Sequence, residues 1–152
     1  MPAVVGQPAP DFSLKDQQNN TVSLSDLKGS KALIVFIPFP NTGICDTESC
    51  LLRDDYSQLE GMGAKVVIIT AHAGPNNRVW AEKNEIPFPV LSDYWPHGAV
   101  AQAYGCFNDA VGVAMRATYV LDANGVVREI IRTEQLGQQR EHAAYARALA
   151  AI

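Results

Sequence analysis

The chain has 152 residues, of which 47% are hydrophobic and 18% are charged, and this is typical of one globular domain spanning residues 1–152. Sixteen acidic against twelve basic residues give a net charge of −4, the wrong sign for a protein that binds nucleic acid. No apolar stretch approaches the ~20 residues of a membrane-spanning helix, and the N-terminus does not resemble a secretory signal, so we expect a soluble cytoplasmic protein with no membrane partner.

The first half of the chain predicts a hairpin, a buried strand and a helix. Residues 11–14 and 21–24 are two short strands joined by a polar turn, which predicts an N-terminal β-hairpin. The continuous apolar run 32–39 predicts a strand that is buried on both faces and central in its sheet. After a loop at 40–44, residues 46–61 predict a helix whose apolar face carries Leu52, Tyr56 and Leu59.

The second half alternates strands with helices. Residues 65–70 predict a second buried strand, and a helix that carries Val79, Trp80 and Ile86 begins at 74–77. The remaining predicted elements are a short strand at 88–91, a helix near 98–104, a hairpin of 117–121 with 126–131 across an Asn-Gly turn, and a covering helix within 138–152. This order predicts an α/β fold, a thioredoxin-like three-layer sandwich with an N-terminal β-hairpin.

The chain has three cysteines, Cys45, Cys50 and Cys106, which are too few for a disulfide scaffold, so their reactivity is the question. A thiol is nucleophilic as a thiolate, and a helix N-terminus or a nearby arginine favours that form. Cys45 lies where the loop after the central strand meets a helix, the usual place for a site in such sheets. The alternative is that Cys45 is a small buried hydrophobic residue, as most free cysteines are.

The motif Pro38-x-x-x-Thr42-x-x-Cys45 after a buried strand resembles the peroxiredoxin family. The resemblance extends to Pro10-Asp11-Phe12, to Ser92-Asp93 and to the segment 116–122, so it covers essentially the whole chain. The run 91–100 is most similar to the AhpE-like subgroup. The spacing Cys45-x-x-x-x-Cys50 instead resembles the Q-type branch, which includes the bacterioferritin-comigratory proteins, so features of two subgroups coexist.

The resemblance implies that Cys45 is the peroxidatic cysteine, that Thr42 hydrogen-bonds the peroxide and that Pro38 shields the thiolate. It also implies that Arg116 stabilises the thiolate and the transition state. In this displacement the sulfur attacks one peroxide oxygen while the other leaves with negative charge, so donors aimed at both oxygens favour it. Thr42, Arg116 and the backbone N–H of Cys45 are candidates. The alternative for Arg116 is an ordinary ion pair on the surface or on an edge strand.

Glu48, one helical turn after Cys45, has two interpretations: a carboxylate that orients an arginine, as the resemblance suggests, or simple compensation of the helix dipole. Cys50 is predicted to resolve the sulfenic acid as an intramolecular disulfide, or else to be a core residue of the helix. On one helix the two Cα atoms would lie roughly 8.6 Å apart, beyond the ~7 Å that a disulfide allows, so the helix must unwind. Cys106 has apolar neighbours and is predicted to be a core residue, with resolution as its alternative.

We therefore expect a thiol-dependent peroxidase that reduces hydrogen peroxide and organic hydroperoxides without a cofactor. No histidine is predicted to be catalytic, and no zinc-site spacing occurs, so no metal is expected. The resemblance implies a thioredoxin-, glutaredoxin- or mycoredoxin-type reductant as partner and is compatible with a homodimer. Two alternatives are a disulfide reductase, disfavoured because Cys-x-x-Cys is missing, and a peroxide sensor that signals through the same cysteines.

Overall fold

A seven-stranded mixed sheet forms the middle layer of the computed structural model, which describes residues 2–152. The strands, in chain order, are β1 (Ser13–Lys15), β2 (Thr21–Ser23), β3 (Lys31–Phe36), β4 (Ala64–Thr70), β5 (Val90–Ser92), β6 (Phe107–Asn108), β7 (Val113–Ala114), β8 (Ala117–Leu121) and β9 (Val127–Arg132). The helices are α1 (Leu24–Leu27), α2 (Gly43–Asp54), α3 (Tyr56–Gly61), α4 (Gly74–Lys83), α5 (Ala99–Tyr104) and α6 (Ala143–Ala150).

The order of strands across the sheet is β2-β1-β5-β4-β3-β8-β9. Strands β3, β4 and β5 are parallel, whereas β8 runs antiparallel to β3 and β1 runs antiparallel to β5. The N-terminal hairpin of β1 and β2 is confirmed, with Ser13 opposite Ser23. Strand β3 pairs on both sides and is therefore central, as its apolar sequence predicts.

Side chains that alternate across β3 enter two separate cores. Ile34 and Phe36 pack on the face that α1 and α5 cover. Leu33 and Val35 pack on the opposite face, which α2, α3, α4 and α6 cover. Helices on both faces of one sheet make three layers, and this confirms the predicted fold class.

The turn between β8 and β9 forms where the Asn-Gly pair predicts it. Asp122 Oδ1 accepts hydrogen bonds from the backbone N–H groups of Asn124 (2.9 Å) and Val126 (3.1 Å). Gly125 has a φ of 80°, in the left-handed region that glycine adopts without strain. The turn therefore fixes the pairing of the two strands that follow Arg116.

The predicted helix 46–61 is wrong at both its start and its continuity. The helix begins at Gly43, because extended Thr42 is its N-cap and the Thr42 carbonyl accepts the N–H of Asp46. It ends at Asp54, and α3 begins after the turn at Asp55. Cys45 therefore lies inside the first helical turn rather than ahead of it.

Other predicted boundaries also shift. Strand β3 ends at Phe36, before Pro38, which has no N–H to give to a ladder. Ile86 follows α4 rather than lying in it, and Val79 is 67% exposed, so only Trp80 of the three predicted residues packs from that helix. The last helix spans only Ala143–Ala150. Strands β6 and β7 form a separate two-residue hairpin, too short to show a period of two in the sequence.

Among residues 2–152, no helix combines the length and the apolar character that crossing a membrane requires.

Candidate active site

Cys45 lies at the carboxyl end of central strand β3, in the first turn of α2, and it is fully buried. Its sulfur accepts two hydrogen bonds. The backbone N–H of Phe39 donates to Sγ at 3.3 Å, and Nη1 of Arg116 donates to it at 3.1 Å. One donor is a fixed backbone N–H and the other is a guanidinium cation, so both direct positive charge at the sulfur.

Arg116 directly precedes β8 and is only 2% exposed, so it is not the surface ion pair considered as its alternative. Besides the sulfur, its Nη1 contacts Glu48 Oε1 at 2.8 Å. Its Nε donates to the carbonyl oxygen of Leu136 at 2.6 Å. The guanidinium is thus held by Glu48 of α2 on one side and by Leu136, which follows β9, on the other.

Glu48 is held by a second arginine, Arg140, that sequence reasoning missed. Arg140 Nη2 contacts Glu48 Oε1 at 2.8 Å, while its Nε and its backbone N–H reach Oε2 at 3.0 and 2.8 Å. Its Nη1 donates to the carbonyl of Phe36 and to the hydroxyl of Thr118. The segment 138–142 is not helical as predicted, and the backbone N–H of Arg140 is instead bound by Glu48.

No local pattern marks Arg140 as functional, because it is a lone arginine in a polar stretch. The only signal is indirect: a carboxylate buried at Glu48 needs more donors than one arginine supplies. Burial by itself would raise the pKa of Glu48, but the hydrogen bonds and charge of Arg140, together with the charge of Arg116, outweigh it and hold that pKa below its ordinary value.

The buried charges do not cancel. Arg116 and Arg140 carry two positive charges and Glu48 carries one negative charge, which leaves one positive charge. A thiolate on Cys45 supplies the missing negative charge in direct contact with Arg116. The three charged side chains thus place a net positive charge beside the Cys45 sulfur.

The loop before α2 is tied down on several sides. The Thr42 hydroxyl donates to the carbonyl of Phe39 at 2.6 Å rather than to the sulfur, so its predicted bond to a peroxide stays a prediction. Asp46 Oδ1 accepts from the N–H of Asn41 at 3.0 Å and from the indole of Trp80 at 2.7 Å. These bonds fix the path of the loop across the Cys45 side chain.

Within the described part of the chain, no three or more histidine, cysteine, aspartate or glutamate side chains are grouped so that they could hold a metal ion. The absence of a metal or cofactor stays a prediction.

Comparison with known proteins shows the family to which the chain belongs. The model of the AhpC/TSA family matches residues 5–130. The chain belongs to that family, the peroxiredoxins. Its similarity to alkyl hydroperoxide reductase E of Mycobacterium tuberculosis is 42% identity over 149 residues, covering 97% of both chains. A chloroplastic peroxiredoxin Q of Sedum lineare is 36% identical over 130 residues, 85% of this chain and 69% of the relative.

A solved structure confirms the fold. The crystal structure of the peroxidoxin BcpB from Mycobacterium tuberculosis superposes with a TM-score of 0.85 at 28% identity, covering 97% of this chain and 95% of the other. The expected resemblance to both the AhpE-like and the Q-type branches is thus confirmed, and with it thiol-dependent peroxide reduction. These relatives are named as reductases and peroxiredoxins, so the sensor alternative is not favoured.

Cys50, the residue that resembles the Q-type peroxiredoxins, does not contact Cys45. Both cysteines belong to α2, and the five-residue separation turns their side chains about 140° apart around the helix axis. Cys50 is half-buried, and its sulfur lies 3.8 Å from Oδ1 of Asn84. All three cysteines are free thiols. A Cys45–Cys50 disulfide therefore requires the first turns of α2 to unwind.

Cys106 is a core residue of this peroxiredoxin. It packs in the core on the α1 and α5 face, whereas Cys45 packs on the opposite face of the sheet. Burial raises the pKa of Cys106 to about 12, so it is a neutral thiol near pH 7. To reach Cys45 it would have to cross the sheet, and this makes it a poor candidate for resolution.

Proposed function

We propose that Cys45 is the nucleophile of a peroxidase that reduces hydrogen peroxide and organic hydroperoxides. The observation that carries this proposal is the contact between Arg116 Nη1 and Cys45 Sγ in a buried site with one unbalanced positive charge. The thiolate attacks the terminal peroxide oxygen, a sulfur–oxygen bond forms and the oxygen–oxygen bond breaks. The products are a sulfenic acid on Cys45 and an alkoxide or hydroxide, which takes a proton from water.

We propose that Arg116 and Thr42 stabilise the transition state of that step and that Pro38 shields the sulfur. Arg116 already touches the sulfur, so its guanidinium lies where the attacked oxygen arrives. The Thr42 hydroxyl, at the N-cap of α2, can rotate from the Phe39 carbonyl to donate to a peroxide oxygen. Pro38 is buried beside the catalytic loop and keeps water from the thiolate. Glu48, fixed by Arg140, orients Arg116.

We propose further that Cys50 resolves the sulfenic acid. Its thiol condenses with the Cys45 sulfenic acid, so a disulfide forms and one water molecule leaves. The proposal is supported by the Cys-x-x-x-x-Cys spacing and by the partial exposure of Cys50. A thioredoxin-, glutaredoxin- or mycoredoxin-type dithiol then reduces the disulfide, and its own two thiols are oxidised.

We propose that the protein acts in the cytoplasm, where such reductants keep thiols reduced, and its three free cysteines are compatible with that compartment. We also propose a homodimer. The support is a set of exposed apolar side chains that line one surface cavity. Trp95 is 82% exposed, and Tyr94 and Val79 are also exposed. Sedimentation equilibrium of the wild-type protein and of Trp95→Glu tests it, because a charge in the interface should shift the equilibrium towards monomer.

Steady-state turnover tests the main proposal. With hydrogen peroxide in large excess and a dithiol reductant, the enzyme should consume many equivalents of peroxide per protein, whereas a sensor would stop after about one. The Cys45→Ser variant should consume none, because a serine hydroxyl is not ionised near pH 7 and is a weaker nucleophile. Retained turnover in Cys45→Ser would refute the assignment of Cys45.

A further inference from the structure

One peptide group connects a histidine to the reactive sulfur. The carbonyl oxygen of Pro38 lies 3.1 Å from Nε2 of His72. The N–H of Phe39, which belongs to the same peptide unit, donates to Cys45 Sγ at 3.3 Å. A carbonyl oxygen can only accept, so Nε2 of His72 must carry the proton in this bond. The Pro38–Phe39 peptide therefore accepts from His72 at one end and donates to Cys45 at the other.

The two ends of a peptide group are electronically linked. The C–N bond has partial double-bond character, because the nitrogen lone pair is shared with the carbonyl. A hydrogen bond to the carbonyl draws density towards the oxygen and makes the N–H a stronger donor, and hydrogen bonds in such chains strengthen one another. The bond from His72 should therefore strengthen the bond from Phe39 to the sulfur, and this favours the thiolate of Cys45.

Hydrogen bonds hold the backbone of His72 in the position from which its ring contacts the Pro38 carbonyl. The His72 backbone N–H donates to Thr70 Oγ1 at 3.1 Å, and its carbonyl accepts from Ser92 Oγ at 2.6 Å. Thr70 in turn donates to Asn77 Oδ1 at 2.8 Å, and both of these residues are fully buried. The end of β4, the end of β5 and helix α4 thus all position the histidine.

We propose that His72 is a positioning residue that acts on Cys45 through the Pro38–Phe39 peptide. The inference rests on the proposed role of Cys45, but its test does not need peroxide. His72 touches neither the sulfur nor the substrate, so its effect is confined to how readily Cys45 ionises and how well the loop holds the sulfur. His72 also lines a surface cavity of about 480 Å³ with Pro40 and Asn41, so its ring is accessible to solvent on that side.

The test compares the pH profiles of Cys45 alkylation in His72→Leu and His72→Gln. Peptide mass spectrometry follows Cys45 alone with iodoacetamide, in an otherwise unchanged chain. His72→Leu removes the donor, and we expect the midpoint of alkylation to rise by roughly 0.1 to 0.7 pH unit, because cooperative strengthening adds about 10–30% to one charge-assisted hydrogen bond. His72→Gln places a neutral amide donor near the same carbonyl, and we expect it to restore most of the wild-type midpoint.

His97→Leu is the matched control. The His97 ring also contacts two backbone carbonyls, Tyr94 O at 3.1 Å and Gly112 O at 2.8 Å, but neither belongs to the peptide that touches Cys45. Its alkylation midpoint should equal that of the wild type. An unchanged midpoint in His72→Leu, or a His72→Gln midpoint as high as that of His72→Leu, would overturn the proposal.

A second measurement uses the wild-type protein and so does not depend on whether a variant folds. Nitrogen-15 NMR of the neutral His72 ring should show the proton on Nε2, and the Nδ1–H tautomer would exclude the bond to Pro38. Neither readout involves turnover. Failure of the proposed function would instead appear as peroxide consumption by Cys45→Ser, so the two failures are distinguishable.

Discussion

Arg140 holds both carboxylate oxygens of Glu48 from a position 92 residues further along the chain. The pair is buried, and Glu48 passes the constraint to Arg116 through a contact of 2.8 Å. A segment that lies between β9 and α6, remote in sequence from the loop before α2, thus takes part in the charged network that contacts Cys45. Removing Arg140 changes the net charge of the site but leaves the contact between Arg116 and the sulfur in place. A variant of Arg140 therefore tests the effect of charge separately from the effect of contact.

Arg140→Met should slow the reaction of Cys45 with peroxide. Methionine fills part of the space but removes one of the two cations, so the remaining Arg116 and Glu48 charges cancel and the thiolate loses its net positive surroundings. We expect at least about a tenfold loss in the second-order rate near pH 7, equivalent to about 1.4 kcal/mol, measured by stopped flow. Arg147→Met, on an exposed arginine of α6, should retain the wild-type rate. A wild-type rate in Arg140→Met would contradict the charge balance.

Arg116→Ala should cause a larger loss, because it removes the cation that touches the sulfur. Deleting one transition-state donor typically costs ~3 kcal/mol, so we expect about a hundredfold lower rate of sulfenic acid formation. Far-UV circular dichroism checks that the domain stays folded. Arg128→Ala, which removes an exposed ion pair with Asp122, is the control and should react normally. If Arg116→Ala reacted as fast as this control, Arg116 would have only a structural role.

Glu48→Gln should change how stability depends on pH. The pKa of Glu48 is lowered in the folded protein, so the carboxylate contributes stability that is fully present above its ordinary value of 4.5 and is lost as the pH falls through the lowered pKa. Removing one partner from a buried ion pair typically costs ~3 to 5 kcal/mol, so the Tm of Glu48→Gln should be well below that of the wild type at neutral pH.

The difference in Tm between Glu48→Gln and the wild type should stay constant at neutral pH and shrink as the pH falls from 4.5 through the lowered pKa of Glu48, because the wild-type carboxylate then becomes neutral as well. Thermal unfolding followed by circular dichroism measures it. Glu129→Gln, on an exposed position of β9, should show no such dependence. A difference in Tm that stays constant across this range would show that the charge of Glu48 does not support the fold.

Cys50→Ser should leave the first oxidation intact and block the second step. One equivalent of peroxide should give wild-type protein a Cys45–Cys50 disulfide and a lower helix content, because α2 must unwind to bring the sulfurs together. In Cys50→Ser the sulfenic acid should persist and be over-oxidised to sulfinic acid, as intact-mass spectrometry would show. Cys106→Ser should behave like the wild type, since Cys106 lies across the sheet.

If oxidised wild-type protein kept a free Cys50 and an intact α2, the protein would be a one-cysteine peroxidase. Peptide mapping of oxidised Cys106 distinguishes that outcome from resolution by Cys106.

The sequence predicts the central parts of the fold because they follow from local pattern. The apolar runs of β3 and β4 specify buried strands, and Asn-Gly specifies the turn before β9. The start of α2 was misplaced because the N-cap depends on the backbone of Thr42 and not on an apolar period. Segments such as β6 and β7 are too short to carry any period.

Some residues of the candidate site could likewise be predicted from the sequence, and others could not. Cys45, Arg116 and Glu48 could be found because the motif or the helix spacing marks them, and the structure brings all three together. Arg140 and His72 could not be found, since each acts through contacts made by folding: Arg140 through a carboxylate, and His72 through a peptide carbonyl. Pairings of this kind leave no trace in a single sequence.

The order of synthesis gives the Arg140 contact a further consequence. A ribosome completes the catalytic loop and α2 long before it reaches Leu136 and Arg140, which supply the carbonyl on Arg116 and the cation on Glu48. Until that segment folds back onto the sheet, a nascent chain has a Cys45 whose surroundings lack their full positive charge. The charged network around Cys45 therefore cannot form until the segment that carries Leu136 and Arg140 has been made and has folded back.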